Sequence, residues 1–192
     1  LGNNKVKEKF YMRSELHLSN ADLKYWVDEF PILEEIKTEI KGVKNLMKEN
    51  LHKKYFCKQV ALEVYLHKNA SNYALLGLEY IPDTSESLDI EVQYINENEV
   101  RYESELSKFN SYRYLGLPEE YVDLVIQEIR DNTNICGGTV KVPIAVNCEV
   151  GSSPFIFSNI TKILLEILCN KNEDINLELF IKESYEKYFL NK

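Results

Sequence analysis

Between residues 55 and 95 the apolar residues recur with a period of two, and this constrains the fold more than any other feature of the chain. In "YFCKQVALEVYLHKN", Val60, Leu62, Val64 and Leu66 alternate with Ala61, Glu63 and Tyr65. Successive side chains of a strand point to opposite faces, so the alternation predicts a strand with one buried face. The polar turn "HKNASN" leads into "YALLGLEYI", and "PDTSES" leads into "LDIEVQYI". Three strands joined by short polar turns predict an antiparallel meander.

The flanks read as helices and one more strand. Upstream, Ser19 or Asn20 is placed to cap a helix in which Leu23, Trp26, Val27 and Phe30 recur at helical spacing. Pro31 opens a second segment, with Ile32, Leu33, Ile36, Ile40, Val43 and Leu46 on one face. Downstream, "LPEEYVDLVIQEIRDN" has Pro118 and two glutamates in its first turn and a stripe of Tyr121, Val122, Val125, Ile126 and Ile129. "TVKVPIAVNCEV" supplies a fourth strand, "SPFIFSNITKILLEIL" a second helix and "DINLELFIKESYEKYFLNK" a last one. The expected class is α+β: a four-stranded, mostly antiparallel sheet with two helices on one face, in the order β-β-β-α-β-α. A helical extension over 1–54 precedes a domain over 55–192 that ends in the C-terminal helix.

A chain of 192 residues buries a core without staples, and its net charge of −8 argues against a phosphate backbone as partner. An acidic chain meets a basic protein more readily. No apolar run reaches the roughly 18 residues that span a bilayer. Cys57, Cys136, Cys148 and Cys169 are scattered without a C-x-x-C pair, which points to reduced thiols and the cytoplasm. His17, His52 and His67 show no ligand spacing, so no metal, cofactor or catalytic residue is assigned.

Two stretches, "LPEEYVDLVIQEI" and "EVGSSPFIFSNITKILLEIL", resemble the corresponding segments of domain IV of elongation factor G. Pro118, Glu119, Glu120 and Tyr121 carry the first likeness, and Glu149, Val150, Ser152, Ser153 and Phe157 the second. With the upstream strands the resemblance covers about residues 56–169 and implies the ribosomal protein S5 domain 2-like fold. For function it implies a ribosome- or translation-associated accessory protein, since the chain has no P-loop.

Two sets of residues are candidate sites. At Gly151, Ser152 and Ser153 a serine hydroxyl is expected to cap the helix, with Pro154 in its first turn. The same loop is similar to the Gly-Ser-Ser loop of the galactokinase and homoserine kinase superfamily, which implies an anion site and a kinase-like phosphate-binding protein. Glu149 opposes that reading by repelling phosphate, and Pro154 by removing a donor. The second set is Glu97, Glu99, Tyr102, Glu103, Glu105 and Tyr112, where acidic and aromatic residues interleave as in a contact surface. The leading expectation is a non-enzymatic, acidic protein-binding module, immunity- or antitoxin-like, that masks a basic protein.

Overall fold

The computed structural model describes residues 12–48, 57–106, 111–170, 172 and 174–190. Three strands come from the N-terminal quarter: β1 (Met12–His17), β2 (Ala21–Val27) and β3 (Glu39–Met47). They are followed by β4 (Gln59–Leu66), β5 (Tyr73–Pro82), β6 (Ser87–Tyr94) and the short β7 (Arg113–Leu115). Then come α1 (Glu119–Asp131), β8 (Gly138–Cys148), α2 (Pro154–Leu168) and α3 (Leu177–Tyr185), with a π-helical turn at Glu186–Leu190. The strands form one eight-stranded sheet in the order β1-β2-β4-β5-β8-β6-β3, with β7 paired to β8. All of its neighbours are antiparallel except β6 and β8. This corrects the expected four-stranded sheet with two helices and a helical N-terminal extension: the sheet is twice as wide and mixed, and the described N-terminal residues contribute three strands to it and no helix.

The N-terminal helices fail because two periods coincide there. Leu23, Trp26 and Val27 fit a helix, but Ala21, Leu23, Tyr25 and Val27 also alternate, and all four are buried on the sheet's helix-covered side. Ser19 and Asn20 make the β1–β2 turn, closed by the Leu18 amide donating to the Ala21 carbonyl at 2.8 Å. Aromatic and β-branched residues then pair with strands on both sides, and pairing outweighs a weak helical preference. In β3 the interval from Val43 to Leu46 is a β-bulge, and Asn45 takes the left-handed conformation at φ 55°. An extra residue in a strand thus imitates one helical turn. Gly42 was the available warning: a side chain there would meet the Ile90 carbonyl oxygen at 2.6 Å.

The meander is corrected as well, because β8 lies between β5 and β6. The glycine pair at the start of β8 makes this possible. Gly137 passes so close to the Ser85 carbonyl that a β-carbon has no room, and Gly138 adopts φ 128°. Tyr80 Oη donates to the Gly137 carbonyl at 2.6 Å and secures the crossing.

Helices α1 and α2 pack side by side on one face, where the Tyr121 and Phe157 rings lie 5.0 Å apart. Val122, Val125 and Ile129 of α1 and Ile156, Phe157 and Ile160 of α2 are buried there with alternate residues of five strands. The opposite face holds a smaller cluster around Trp26, Ala61, Tyr73, Leu75 and Val146. Irregular chain packs on it: Phe30, Leu33 and Ile36 from one segment, and Val100, Tyr102 and Leu106 from a strap over residues 96–106. Among the described residues, no helix is long and apolar enough to cross a membrane.

Candidate functional site

The strap owes its position to hydrogen bonds that irregular backbone cannot supply to itself. It starts from Ile95, which is buried and whose amide donates to the Leu117 carbonyl at 2.9 Å. Gly116, at φ 108°, lets the chain pass Ile95, whose side chain would otherwise meet a β-carbon at 2.5 Å. The Leu115 amide donates to Val100, and the Tyr102 amide to Arg113, both at 2.9 Å, so the strap docks on β7. Asn147 Nδ2, on β8, donates to Asn98 Oδ1 at 3.0 Å and to the Gly116 carbonyl at 3.1 Å.

Between the strap, the segment over residues 31–39 and the ends of β7 and β8 runs a groove in two compartments. One, of about 250 Å³, is bounded by Ile36, Lys37, Glu39, Tyr94, Glu97 and Glu99 among others. The other, of about 340 Å³, has an apolar floor of Leu33, Leu117, Pro143, Ile144 and Ala145 and a rim of Glu34 and Glu35. Ile36, Thr38 and Leu115 belong to both, so the compartments adjoin. The charged residues lining them are five glutamates and one lysine, Lys37. Glu39 is engaged, accepting from Tyr94 Oη at 2.9 Å and Asn96 Nδ2 at 2.7 Å. Beyond the acidic compartment, Glu97 shares a shallower depression with Glu119 and Glu120 at the start of α1.

The structure divides the predicted contact set. Glu97 and Glu99 are exposed at the groove. Glu103 is exposed further along the strap, and exposed Tyr112 stacks with the Arg101 guanidinium 3.9 Å from its ring centre. Tyr102 instead turns inward onto the apolar cluster, and burial pushes its hydroxyl pKa well up. Glu105 pairs with buried Lys24, and the hydrogen bond from that ammonium holds its carboxyl below the usual range. Two of the six residues thus line the groove and two fasten the strap.

Strand register brings together polar groups that sequence reasoning did not assign. Glu15, Lys24, Glu63, Leu75 and Val146 form one row across β1, β2, β4, β5 and β8. Glu63 is 1% exposed. Its Oε1 accepts from Tyr73 Oη at 2.6 Å and from Ser104 Oγ at 2.5 Å, while Oε2 has no hydrogen-bond partner. Burial raises the Glu63 pKa, opposed by those hydrogen bonds and by the charges of Lys24 and Arg113. Lys24 also pairs with Glu15 at 2.7 Å; burial alone would lower its pKa, but the bonds to Glu105 and Glu15 carry it above the ordinary value. The Arg113 guanidinium lies 4.7 Å from the centre of the Tyr73 ring. In the neighbouring row Asp22 joins two histidines distant in sequence, His17 Nδ1 and His67 Nε2, each at 2.7 Å. The signal for the first row was available: Glu63 stands in the centre of the most apolar strand pattern of the chain. Among the described residues no group of side chains is arranged to hold a metal, and all four cysteines are free thiols.

At the other candidate stretch, Ser153 is the N-cap residue of α2, but its hydroxyl makes no capping bond and is buried without a partner. Ser152 acts instead as a clasp between the turn and the sheet. Its Oγ donates to the Tyr73 carbonyl at 2.7 Å and accepts from the Cys148 amide at 2.8 Å. The Gly151 carbonyl accepts from the amides of Asn72 and Tyr73, and the Asn72 side chain leaves no space for a β-carbon on Gly151. The three residues are therefore folded back on β5. Compared with protein families, curated proteins and solved structures, the chain matches none.

Proposed function

We propose that this chain is a non-enzymatic binding protein that captures a basic protein in the groove beside the strap, masking it as an immunity protein or antitoxin does. The observation that carries the reading is the composition of the groove: an apolar floor framed by five glutamates against one lysine, with Glu97 and Glu99 lacking an ion-pair partner among the described residues. Cavities that enclose drug-sized ligands run roughly 300–1,000 Å³. The larger compartment, about 340 Å³, reaches the low end of that range, and it is the acidic lining of both that favours a cationic protein side chain as occupant. A cationic side chain of the partner fits between Glu97 and Glu99, and an apolar neighbour fits over Ile144 and Leu117. Arginine and large apolar anchors seated in such pockets dominate many interfaces. Free thiols at all four cysteines accord with a reducing cytoplasmic setting.

The test is the affinity of a labelled peptide of alternating arginine and leucine, read by fluorescence anisotropy at low and high salt. Binding is expected to weaken as salt rises, and the double substitution Glu97→Lys, Glu99→Lys to lower affinity on the order of tenfold or more. Glu103→Lys, outside the groove, serves as the charge control and leaves affinity within about twofold. Equal loss from the control and the double variant would reject the groove. Salt-sensitive co-sedimentation with ribosomes that survives the double substitution would replace this reading with the translation-associated one.

A further inference from the structure

Glu63 is an expensive residue to place where it is. A carboxyl at 1% exposure loses its hydration, and an apolar side chain would fit a cluster that already contains Ala61 and Leu75. What the carboxyl supplies is a hydrogen-bond acceptor beneath the strap. It receives Tyr73 Oη from the adjacent strand and Ser104 Oγ from a segment 41 residues away in sequence. Its neighbour in the row, Lys24, takes the next strap residue, Glu105. Two successive strap residues are thus tied to two cross-strand neighbours on β2 and β4. Nearer the groove the strap is held by the Tyr102–Arg113 and Leu115–Val100 backbone bonds.

We propose that Glu63 is the positioning residue of the groove: from beneath the strap it fixes Ser104, and through the strap it sets the wall that carries Glu97 and Glu99 before a partner arrives. The inference rests on the groove reading and adds its control. The groups facing Glu63 are Lys24 from β2, Tyr73 from β5, Arg113 from β7 and Tyr102 and Ser104 from the strap. Glu105 reaches it only through Lys24. At pH below the ordinary carboxylate range Glu63 is neutral whether the strap is docked or lifted, and the latch contributes fully. As pH rises from the ordinary carboxylate range to the raised value of the buried group, the lifted, hydrated carboxyl is charged while the docked one is still neutral, and the strap loosens.

Hydrogen exchange at the Tyr102 and Leu115 amides, which close the strap on β7, reads the latch directly. In the wild type their protection, corrected for intrinsic exchange, is expected to fall as pH rises above the ordinary carboxylate range. Glu63→Gln keeps the acceptor without the charge, so protection should stay at the wild-type acidic level throughout. Glu63→Leu leaves two hydroxyls without an acceptor and should raise exchange about tenfold. Ser104→Ala removes only the strap's donor and reports the same loosening should the leucine variant not fold. Affinity for the arginine–leucine peptide should fall with the protection and be retained by Glu63→Gln. Identical pH dependence in the wild type and Glu63→Gln would overturn the proposal, as would a loosened strap with unchanged peptide affinity. A wild type that never binds the peptide rejects the groove itself, while the exchange data still decide whether Glu63 holds the strap.

Discussion

The two faces of the sheet are covered by different kinds of chain, and their chemistry differs accordingly. On the helix side, α1 and α2 satisfy their own backbone hydrogen bonds, so the strands beneath can be almost wholly apolar. The buried Thr161 hydroxyl turns back to the Phe157 carbonyl of its own helix at 2.7 Å and asks nothing of the sheet. The strap has no internal ladder, and its backbone and side chains look outward for partners. The structure answers with Glu63, Lys24 and Asn147, each at 5% exposure or less and each bonded to the strap. Polar residues buried within a sheet are here the consequence of covering it with irregular chain. The helix face supplies bulk stability, and the strap face a defined surface.

Four substitutions test that division, beginning with the largest expected effect. Phe157→Ala removes a fully buried ring packed on Tyr121 and is expected to cost about 3–5 kcal/mol in denaturant unfolding. A loss near that of a surface substitution would mean that the helix face does not dominate stability. Asn147→Ala leaves Asn98 and the Gly116 carbonyl without their donor and should cost about 1–3 kcal/mol. Its amide-exchange changes should concentrate in the strap and β7, and a uniform loosening of α1 and α2 would break the comparison. The smallest effect separates the paired serines. Ser152→Ala opens the clasp on Tyr73 and Cys148 at about 1 kcal/mol, whereas Ser153→Ala deletes an unpartnered hydroxyl and should shift stability by only a few tenths. A larger loss at Ser153 would restore the capping role expected from the sequence.

Legibility followed the reach of the interactions. The Pro-Glu-Glu start and the stripe from Tyr121 to Ile129 located α1, and the alternation from Val60 to Leu66 located β4, because each signal lies within one element. Residues 21–47 misled because Leu23 and Val27 satisfy both periods while Trp26, buried on the other face of the strand, completes the helical spacing, and because the bulge at Val43–Leu46 inserts a residue that mimics a helical turn. Of the candidate contact residues, Glu97 and Glu99 line the groove, whereas Glu105 and Tyr102 serve as anchors. Nothing local distinguishes those pairs. A glutamate becomes a latch or a rim according to whether Lys24, 81 residues away, stands beneath it.

The sequence by itself determined which segments have one apolar face, where glycines and prolines interrupt them, and that the chain carries an acidic excess. These are properties of neighbouring residues and of composition, and they survive any arrangement of the elements. Only the tertiary structure decided that β8 enters between β5 and β6, that β1 to β3 widen the sheet, and that Glu63 lies under Ser104. Strand order is chosen among pairings whose local energies are nearly equal. The choice falls to long-range fits such as Gly137 against Ser85, which exist only once the chain has closed on itself.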